Sequence, residues 1–505
     1  MGNPVDFTNP PPGWTASGHG TIARPLDLVE NWLHDRARRP GVLPHREPDA
    51  ITQCLRLKFP KRITDPTPYL ERAWRALICV YPIWGALYPP FSKRGPDGGP
   101  SITLAPLDVA GWLRDTFHVN EGAHAIFDDI DAAVRKFPAA PTPSAHWFPS
   151  SSQFIIRSGH LRVDGVGILS VTDTLFNLVA SVCRLGLDVA LETYTSGIQK
   201  PALPPGIDHI LGLKPIQGPT PKYVEDAIRG LEEEWKKGMR SITFPIREGS
   251  EGAKIGDSRQ HVLAFDESIS KAIAKACSGL GVSVSAAVHA SIIRVALTFP
   301  QHPEAKNILI TLIVNLRHLL PTKYHAPEYR TSPCCYIVPA CITDVADKSK
   351  HFDELARLIN DVYQTDLTKL ATDEAGKPIN FLEFLQYYRE REAQILDADP
   401  PAGCPPFHPP NLSSVGILEW FTKFSFQLEE NSDESVEIED LWAAIEMVDP
   451  VAEFQLYTIR NRMRLALSFN DAYYEEDFMW DIIGKVRDEL LKELGIPSGG
   501  NAAKL

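Results

Sequence analysis

One short stretch of the sequence, Phe154–Gly167, combines residue types that can move a proton during a chemical reaction. It places His160 and Asp164 four residues apart, with three glycines around them. A histidine ordinarily titrates near neutral pH, so it can take a proton from a hydroxyl group and return it to a leaving group. Glycines let the backbone approach a substrate closely. The stretch is consistent with acyl transfer to an alcohol, and a plain surface turn would contain the same residues.

The residues on either side predict that His160 lies on a connection from a strand to a helix. Phe154-Ile155-Ile156 is a short apolar run of the kind found in buried strands. Apolar residues then recur every three or four positions from Ile168 to Val182, which is the spacing of a helix. Such a connection is a common place for a catalytic side chain, because a rigid element lies on each side of it.

The rest of the chain predicts an α/β (α+β) fold, with mixed sheets rather than a regular alternation of strands and helices. Asn307–Val314 is a continuous apolar run and is expected to be a strand covered on both faces. Arg462–Asn470 alternates strictly between apolar and other residues, as a strand does. The spacing of apolar residues predicts helices in three further segments: Tyr69–Leu87, Val282–Leu297 and Glu475–Leu494.

The length of the chain and its proline-rich stretches predict two domains with a crossover between them. A chain of 505 residues is too long for one ordinary core. Two proline-rich stretches, Lys200–Lys222 and Asp399–Pro410, read as an irregular crossing segment and a long loop. We therefore expect an N-terminal subdomain at 1–215, a crossover at 216–259 and a C-terminal subdomain at 260–505.

Composition excludes several classes of function. The net charge is −13 and no cluster of Lys and Arg stands out, so we expect no nucleic-acid partner. No segment approaches the roughly 20 uncharged apolar residues of a membrane span, so we expect no membrane insertion. The densest charge run, Leu428–Asp440, is acidic and is expected to be a solvated hairpin or loop. Eight cysteines without a CxxC pair favour a reducing compartment, and no HExxH or similar set predicts a metal site.

The ends of the chain bear on its location. The N-terminus has no apolar stretch of the kind that a signal peptide needs, so we expect a cytoplasmic protein. The C-terminal Ala503-Lys504-Leu505 is a variant of the Ser-Lys-Leu signal for peroxisomes. Peroxisomal targeting is therefore an alternative location, and a frayed terminus without a signal is the other explanation.

Several motifs in order resemble the superfamily of chloramphenicol-acetyltransferase-like proteins. This superfamily holds alcohol acyltransferases and the condensation domains of peptide synthetases, and the chain is most similar to the fungal trichothecene 15-O-acetyltransferases. The matching segments are Arg24-Pro25-Leu26, the helix with Ala73-Trp74, the His160–Gly165 motif, Gly281–Ala290, Asn315-Leu316-Arg317 and Leu412–Gly416. Their family order makes the resemblance more specific than any one motif.

The resemblance implies a fold and a site. The fold would have two domains, each a mixed sheet with helices, and an active-site tunnel between them. His160 would be the general base, and Asp164 would pair with an arginine to hold the loop, for which Arg317 beside Asn315 is the candidate. The resemblance does not name the oxyanion donor. The Gly165 amide and the Ser414 hydroxyl are candidates for it, and Ser414 and Gly416 are candidate residues of the oxyanion site or the tunnel.

The chain departs from the family pattern in two places. Plant-type enzymes carry Asp-Phe-Gly-Trp-Gly near the C-terminus, where this chain has Ser468-Phe469-Asn470-Asp471-Ala472. Condensation domains usually carry two adjacent histidines, and here Gly159 replaces the first of them. The first departure argues against a plant-type enzyme. The second, together with the lack of a carrier domain, favours a free-standing enzyme that uses a diffusible CoA thioester. A monomer is expected, because one chain of this fold would supply both halves of the site.

The hypothesis is therefore an enzyme that transfers an acyl group, expected to be acetyl, from CoA to a hydroxyl of a fungal secondary metabolite, for which the 15-hydroxyl of a trichothecene is one candidate. Acetyl-CoA would be a co-substrate, and no bound cofactor or metal is expected. Two alternatives stay open: a condensation-like enzyme that takes its acyl group from a carrier protein, and a non-catalytic member of the fold that binds a metabolite.

Overall fold

The structure is a computed structural model that describes most of the chain. The described residues are 5–18, 20–37, 46–88, 100–196, 203–214, 216–250, 252–325, 329, 332–346, 350–367, 372–397, 408–429, 433–497 and 503–504. Of the two proline-rich stretches, residues 200–202, 215 and 399–407 lie outside this set.

The chain folds into two compact units, and successive segments of the chain belong alternately to one unit and to the other. Unit 1 consists of Met1–Leu213, Asn315–Cys335 and Leu418–Glu446. Unit 2 consists of Lys214–Val314, Tyr336–Ile417 and Met447–Leu505.

Unit 1 is built on a six-stranded mixed sheet with a smaller three-stranded sheet. Its strands are β1 (Thr15–Ala16), β2 (Ile22–Pro25), β3 (Ile51–Lys58), β4 (Ser101–Leu104), β5 (Phe117–Val119), β6 (Ser144–Phe148), β7 (Gln153–Ser158), β12 (Ser425–Gln427) and β13 (Ser435–Ile445). Its helices are α1 (Leu28–Ala37), α2 (Thr67–Val80), α3 (Val109–Thr116), α4 (Ile130–Lys136), α5 (Gly165–Leu185), α6 (Leu191–Tyr194) and α7 (Ile207–Leu211).

The larger sheet of unit 1 has the order β12-β13-β3-β7-β6-β5, and all its neighbours are antiparallel except β5 and β6. The smaller sheet has the order β1-β2-β4. Apolar side chains of β3, β7 and β13 form a buried cluster with those of α4, which includes Cys54, Ile155, Ala444 and Phe137. The strand before His160 is therefore held inside a sheet with its apolar residues buried.

Helix α5 extends from the His160 turn into the core of unit 1. Asp164 caps its first turn, and Gly186, with φ of 84°, ends it in a backbone conformation that favours glycine. Among the described helices, α5 is long and apolar enough by itself to cross a membrane, and 72% of its most apolar window is buried inside the fold. The bent pair Glu267–Leu280 and Val284–Ala296 meets the same limits only when counted together.

Unit 2 is built on a five-stranded mixed sheet and a two-stranded sheet. Its strands are β8 (Ser258–Ala264), β9 (Ile308–Asn315), β10 (Cys335–Ile342), β11 (Asn411–Ile417), β14 (Glu453–Ile459), β15 (Arg462–Asn470) and β16 (Ala503–Lys504). Its helices are α8 (Lys222–Gly238), α9 (Glu267–Leu280), α10 (Val284–Ala296), α11 (Phe352–Tyr363), α12 (Phe381–Asp397) and α13 (Glu476–Glu493).

The five-stranded sheet has the order β11-β14-β15-β8-β16, and β11 lies parallel to β14. The two-stranded sheet pairs β9 with β10. Ala503 and Lys504 of the C-terminal tripeptide pair with β8, whereas Leu505 lies outside the described residues. The peroxisomal interpretation of the tripeptide stays a prediction.

The predicted α/β class, with mixed sheets in two units, is confirmed. The predicted helices and strands appear in place, although Tyr69–Leu87 is helical only as far as Val80 and then forms a 3-10 turn from Pro82 to Gly85. The prediction that this strand is covered on both faces is wrong for the end of β9, where Ile313 is 46% exposed.

The linear domain division differs from the two units. Residues 418–446, which fall in the predicted C-terminal subdomain, belong to unit 1 because β13 completes the sheet that contains β3. Residues 315–335 fall in the same predicted subdomain and also belong to unit 1, where Arg317 and Cys334 bind Asp164. The range 216–259 contains helix α8 and belongs to unit 2, so it is not a separate crossover.

Candidate active site

The predicted base, His160, lies on the turn between β7 and α5. The Arg162 amide donates a hydrogen bond of 3.0 Å to the carbonyl oxygen of Gly159 and closes this turn. The imidazole is half-buried, and its Nδ1 is enclosed without a hydrogen-bond partner among the described residues. Because Nδ1 is enclosed, Nε2 is the ring nitrogen that a ligand could approach.

The Asp164 carboxylate fastens the other end of the same turn through four hydrogen bonds. It accepts one from the Gly167 amide in the first turn of α5 and one from the Cys334 amide, each of 2.8 Å. The Arg317 guanidinium donates the other two, from Nη1 to Oδ2 and from Nη2 to Oδ1, also at 2.8 Å. This is the bidentate geometry that gives arginine–carboxylate pairs their strength and direction.

The Asp164–Arg317 pair is charged at neutral pH although both residues are buried. Burial by itself would raise the pKa of Asp164, but the charge of Arg317 and the hydrogen bonds outweigh burial and hold that pKa below its usual range. Burial likewise acts to lower the pKa of Arg317, and Asp164 raises it instead. The arginine expected from the resemblance is therefore the one that the structure brings to Asp164.

Asn315 shapes the segment that carries Arg317. Its side-chain oxygen accepts hydrogen bonds from the Arg317 amide at 3.1 Å and from Arg317 Nη1 at 3.3 Å. The Nη2 atom also donates to the carbonyl oxygen of Ser332 at 2.8 Å. The predicted catalytic residue His160 and the predicted supporting residues Asp164, Gly165, Asn315 and Arg317 thus all lie in unit 1 around one turn.

Sequence reasoning missed a second group of charged residues beside this turn. Glu446 forms ion pairs with Arg46 and, at 3.3 Å, with Arg157 of β7, and all three side chains are almost fully buried. Glu47 pairs with Arg162, which lies on the turn itself. Glu446 and Arg46 are 400 residues apart in sequence, so no local pattern could have joined them.

The two remaining predicted residues, Ser414 and Gly416, lie on β11 in unit 2. The Ser414 hydroxyl is exposed and lies 2.8 Å from the Ser285 hydroxyl in the first turn of α10. The pairing of β11 with β14 is irregular between Ser414 and Gly416, and Gly416 has a φ of 84°. Glycine fits this position because side chains strongly disfavour such a backbone conformation.

The segment that replaces the plant-type motif has a structural role in unit 2. The Asn470 side chain is fully buried, accepts hydrogen bonds from the amides of Gly256 and Ala472, and donates to the carbonyl oxygens of Gly256 and Met447. Asp471 pairs with Arg259 at 2.9 Å. These contacts fasten the chain before β8 to the end of β15.

The described residues offer little for metal or thiol chemistry. They contain no group of three or more His, Cys, Asp and Glu side chains that could hold a metal ion. The seven cysteines among them carry free thiols, and burial raises the pKa of Cys334 to about 12. A thiol with such a pKa is a poor nucleophile at neutral pH.

Comparison with known proteins gives relatives for nearly the whole chain, although no family model matches it. The chain is 46% identical over 498 residues to the loline biosynthesis cluster 1 transcription factor lolU1 of Epichloe uncinata, and the match covers 98% of this chain and 99% of lolU1. It is 24% identical to the acetyltransferase pigO of Monascus ruber, over 96% of this chain and 98% of pigO.

A solved structure shows the same fold. The trichothecene 15-O-acetyltransferase TRI3 of Fusarium sporotrichioides matches with a TM-score of 0.70 and 17% identity, over 96% of this chain and 99% of TRI3. The chain therefore belongs to one family with lolU1, and it shares the fold of TRI3.

Proposed function

We propose that the chain is a CoA-dependent O-acyltransferase that acylates, and specifically acetylates, a hydroxyl group of a fungal secondary metabolite, with His160 as general base. The arrangement that carries this proposal is the His160 turn with its buried, doubly hydrogen-bonded Asp164–Arg317 pair. Full-length similarity to a fungal protein named as an acetyltransferase adds support. The trichothecene 15-hydroxyl is one candidate acceptor, after the name of TRI3.

The proposed reaction is a direct transfer without a covalent acyl-enzyme. Neutral His160 takes the proton of the acceptor hydroxyl at Nε2 while the hydroxyl oxygen bonds to the thioester carbonyl carbon. The resulting tetrahedral intermediate carries its negative charge on the former carbonyl oxygen. When the carbon–sulfur bond breaks, His160 returns the proton to the sulfur of CoA.

The negative charge of the intermediate needs hydrogen-bond donors. The amide of Gly165 is a candidate, because it belongs to the first turn of α5 and has no hydrogen-bond partner within the described part of the chain. The start of a helix also carries partial positive charge, which favours an anion there. The Ser414 hydroxyl is the second candidate.

The test is turnover by purified protein with acetyl-CoA and a panel of hydroxylated terpenoids that includes a trichothecene 15-alcohol. We expect wild type to release free CoA and to form an ester, and His160→Ala to lower kcat by a hundredfold or more, since general-base catalysis contributes about 10²–10⁴-fold. A thiol-reactive dye measures CoA release, and mass spectrometry detects the ester.

His302→Ala is the matched control, because His302 is an exposed histidine in unit 2. It should keep wild-type activity. Equal turnover in His160→Ala and wild type would exclude His160 as the base. No turnover with any alcohol, together with acyl transfer from a loaded carrier protein, would favour the condensation-like alternative.

The name of lolU1 favours a second candidate, a role in transcription. In that case the chain would be a non-catalytic member of the fold that binds a metabolite or DNA. The net charge of −13 opposes direct DNA binding, because phosphate contacts need clustered positive charge. A gel-shift titration near physiological salt decides this point: salt-sensitive binding to DNA fragments, without esterase or transferase activity, would replace the acyltransferase proposal.

A further inference from the structure

A second buried ion pair, Glu47–Arg162, lies against the strand side of the His160 turn. Arg162 Nη1 donates to Glu47 Oε1 at 2.9 Å, and both side chains are less than a tenth exposed. Arg162 Nη2 donates to the carbonyl oxygens of Ala140 and Pro141 at 3.2 and 2.8 Å. The guanidinium also lies 5.0 Å from the centre of the Tyr88 ring. Arg162 therefore has fixed partners in three separate segments of unit 1.

The same pair fills the space beside Gly159. A Cβ atom at residue 159 would lie 2.0 Å from Glu47 Oε1 and 2.8 Å from Arg162 Nη1, far inside contact distance. Any side chain at that position would displace the pair. Glu47 thus lies against both Gly159, just before His160, and Arg162, two residues after it.

Within the described part of the chain, no hydrogen bond orients the His160 ring. In many catalytic sites a carboxylate or carbonyl accepts from Nδ1–H and fixes both the tautomer and the ring direction. Here Nδ1 is enclosed and has no partner among the described residues. The direction of the ring must therefore come from the backbone of the turn and from packing around it.

We propose that the Glu47–Arg162 pair is a positioning element for His160, an inference that rests on the proposed function. Asp164 and Arg317 fix the helix end of the turn, and Glu47 and Arg162 fix its strand end. Neither Glu47 nor Arg162 needs to touch the substrate. Their contribution is to keep the imidazole in one direction, and Gly159 is the residue type that leaves room for them.

The experiment compares Glu47→Gln and Arg162→Lys with wild type. Gln keeps the size of Glu47 but removes its charge, and Lys keeps the charge of Arg162 but cannot reach all of its partners. We expect kcat to fall about 10- to 100-fold with KM for the acyl donor unchanged, because a misplaced catalytic group can cost about 100-fold in rate. Arg62→Gln, which breaks the exposed pair with Glu434 in the same unit, should leave kcat unchanged.

A second readout does not depend on acyl transfer. The rate at which diethyl pyrocarbonate modifies His160, resolved by peptide mass spectrometry, reports the exposure of its ring. We expect this rate to change severalfold in Glu47→Gln and Arg162→Lys, and not in Arg62→Gln. A cooperative thermal unfolding transition shows that a variant is folded. If Glu47→Gln does not fold, Arg162→Lys alone tests the proposal.

A double-mutant cycle tests the contact with Gly159. Gly159→Ala should lower kcat and change the modification rate in wild type. It should add less once Glu47→Ala has removed the closer of its two clashes and left the Arg162 side chain free to move aside. Unchanged kcat and modification rate in folded Glu47→Gln and Arg162→Lys would overturn the proposal. If wild type transfers no acyl group, the proposed function fails, while the modification rates still decide whether the pair positions His160.

Discussion

Asp164 shows how one buried carboxylate can hold two separate parts of a chain. Its four hydrogen bonds come from α5, from the segment before β10 and from Arg317. A buried carboxylate is costly unless every oxygen is satisfied. The cost of removing one partner is therefore larger than the net contribution of the pair, since the other charge stays behind.

Arg317→Ala is expected to destabilise the protein by about 3–5 kcal/mol, the usual cost of leaving one member of a buried pair alone. The free energy of unfolding in denaturant measures it. Arg294→Ala is the control, because its pair with Glu489 is partly exposed and should contribute about 1 kcal/mol or less. Similar losses in the two variants would contradict the structural role of Arg317.

At the scale of elements, the start of α1 has a reciprocal cap with an unusual carboxyl group. Asp27 Oδ1 accepts from the Glu30 amide at 2.9 Å, and Glu30 Oε2 accepts from the Asp27 amide at 3.0 Å. Glu30 also binds Arg24 through two hydrogen bonds. Burial, together with the negative charge of Glu30, raises the pKa of Asp27 to about 8, although Arg24 opposes this shift.

This raised pKa predicts that Asp27 makes the fold less stable as pH rises. The unfolded chain releases the Asp27 proton near pH 4, whereas the folded chain keeps it until about pH 8. Between those values the folded state binds more protons, so stability falls with rising pH by up to about 1.4 kcal/mol per pH unit. Asp27→Asn should remove this slope, measured as unfolding free energies at pH 5.5 and 8. Parallel slopes in both proteins would refute the prediction.

Local sequence patterns predicted where helices and strands occur better than they predicted which of their residues are buried. The three-and-four spacing of apolar residues located α5. The alternation in β15 predicted two different faces, yet nearly every residue of that strand is buried, including Arg464. Burial depends on which strands lie alongside, and β14 and β8 flank β15 on either side.

The same limit applies to the candidate site. Asp164 and Arg317 were joined through a resemblance to a family, not through spacing. Glu47 had no such motif, and its partner lies 115 residues further along the chain. Pairs of this kind form when distant strands meet, and a single sequence carries no local signal of that meeting.

At the scale of the whole molecule, unit 1 draws on three separate stretches of the chain. Strand β13 lies inside the sheet, between β12 at the edge and β3. Arg317 belongs to the second stretch. Unit 1 thus depends on residues that follow most of unit 2 in sequence.

A fragment of residues 1–213 is therefore expected not to fold on its own. Without β13, the buried residues Cys54, Leu55 and Leu57 of β3 would lie on an open sheet edge, and Asp164 would lack Arg317. Denaturant unfolding followed by circular dichroism should show a cooperative transition for the full chain and none for the fragment. A cooperative, soluble fragment would show that the first stretch is sufficient.

The interleaved order of unit 1 also has a consequence during synthesis. At about 5–20 residues per second, β3 leaves the ribosome tens of seconds before β13 exists. Throughout that interval one edge of β3 stays unpaired, and for part of it the carboxylate of Asp164 lacks Arg317, which lies 153 residues further along the chain. Translation speed and chaperone supply should therefore govern the yield of active protein more strongly than they would for a chain whose first unit closes early.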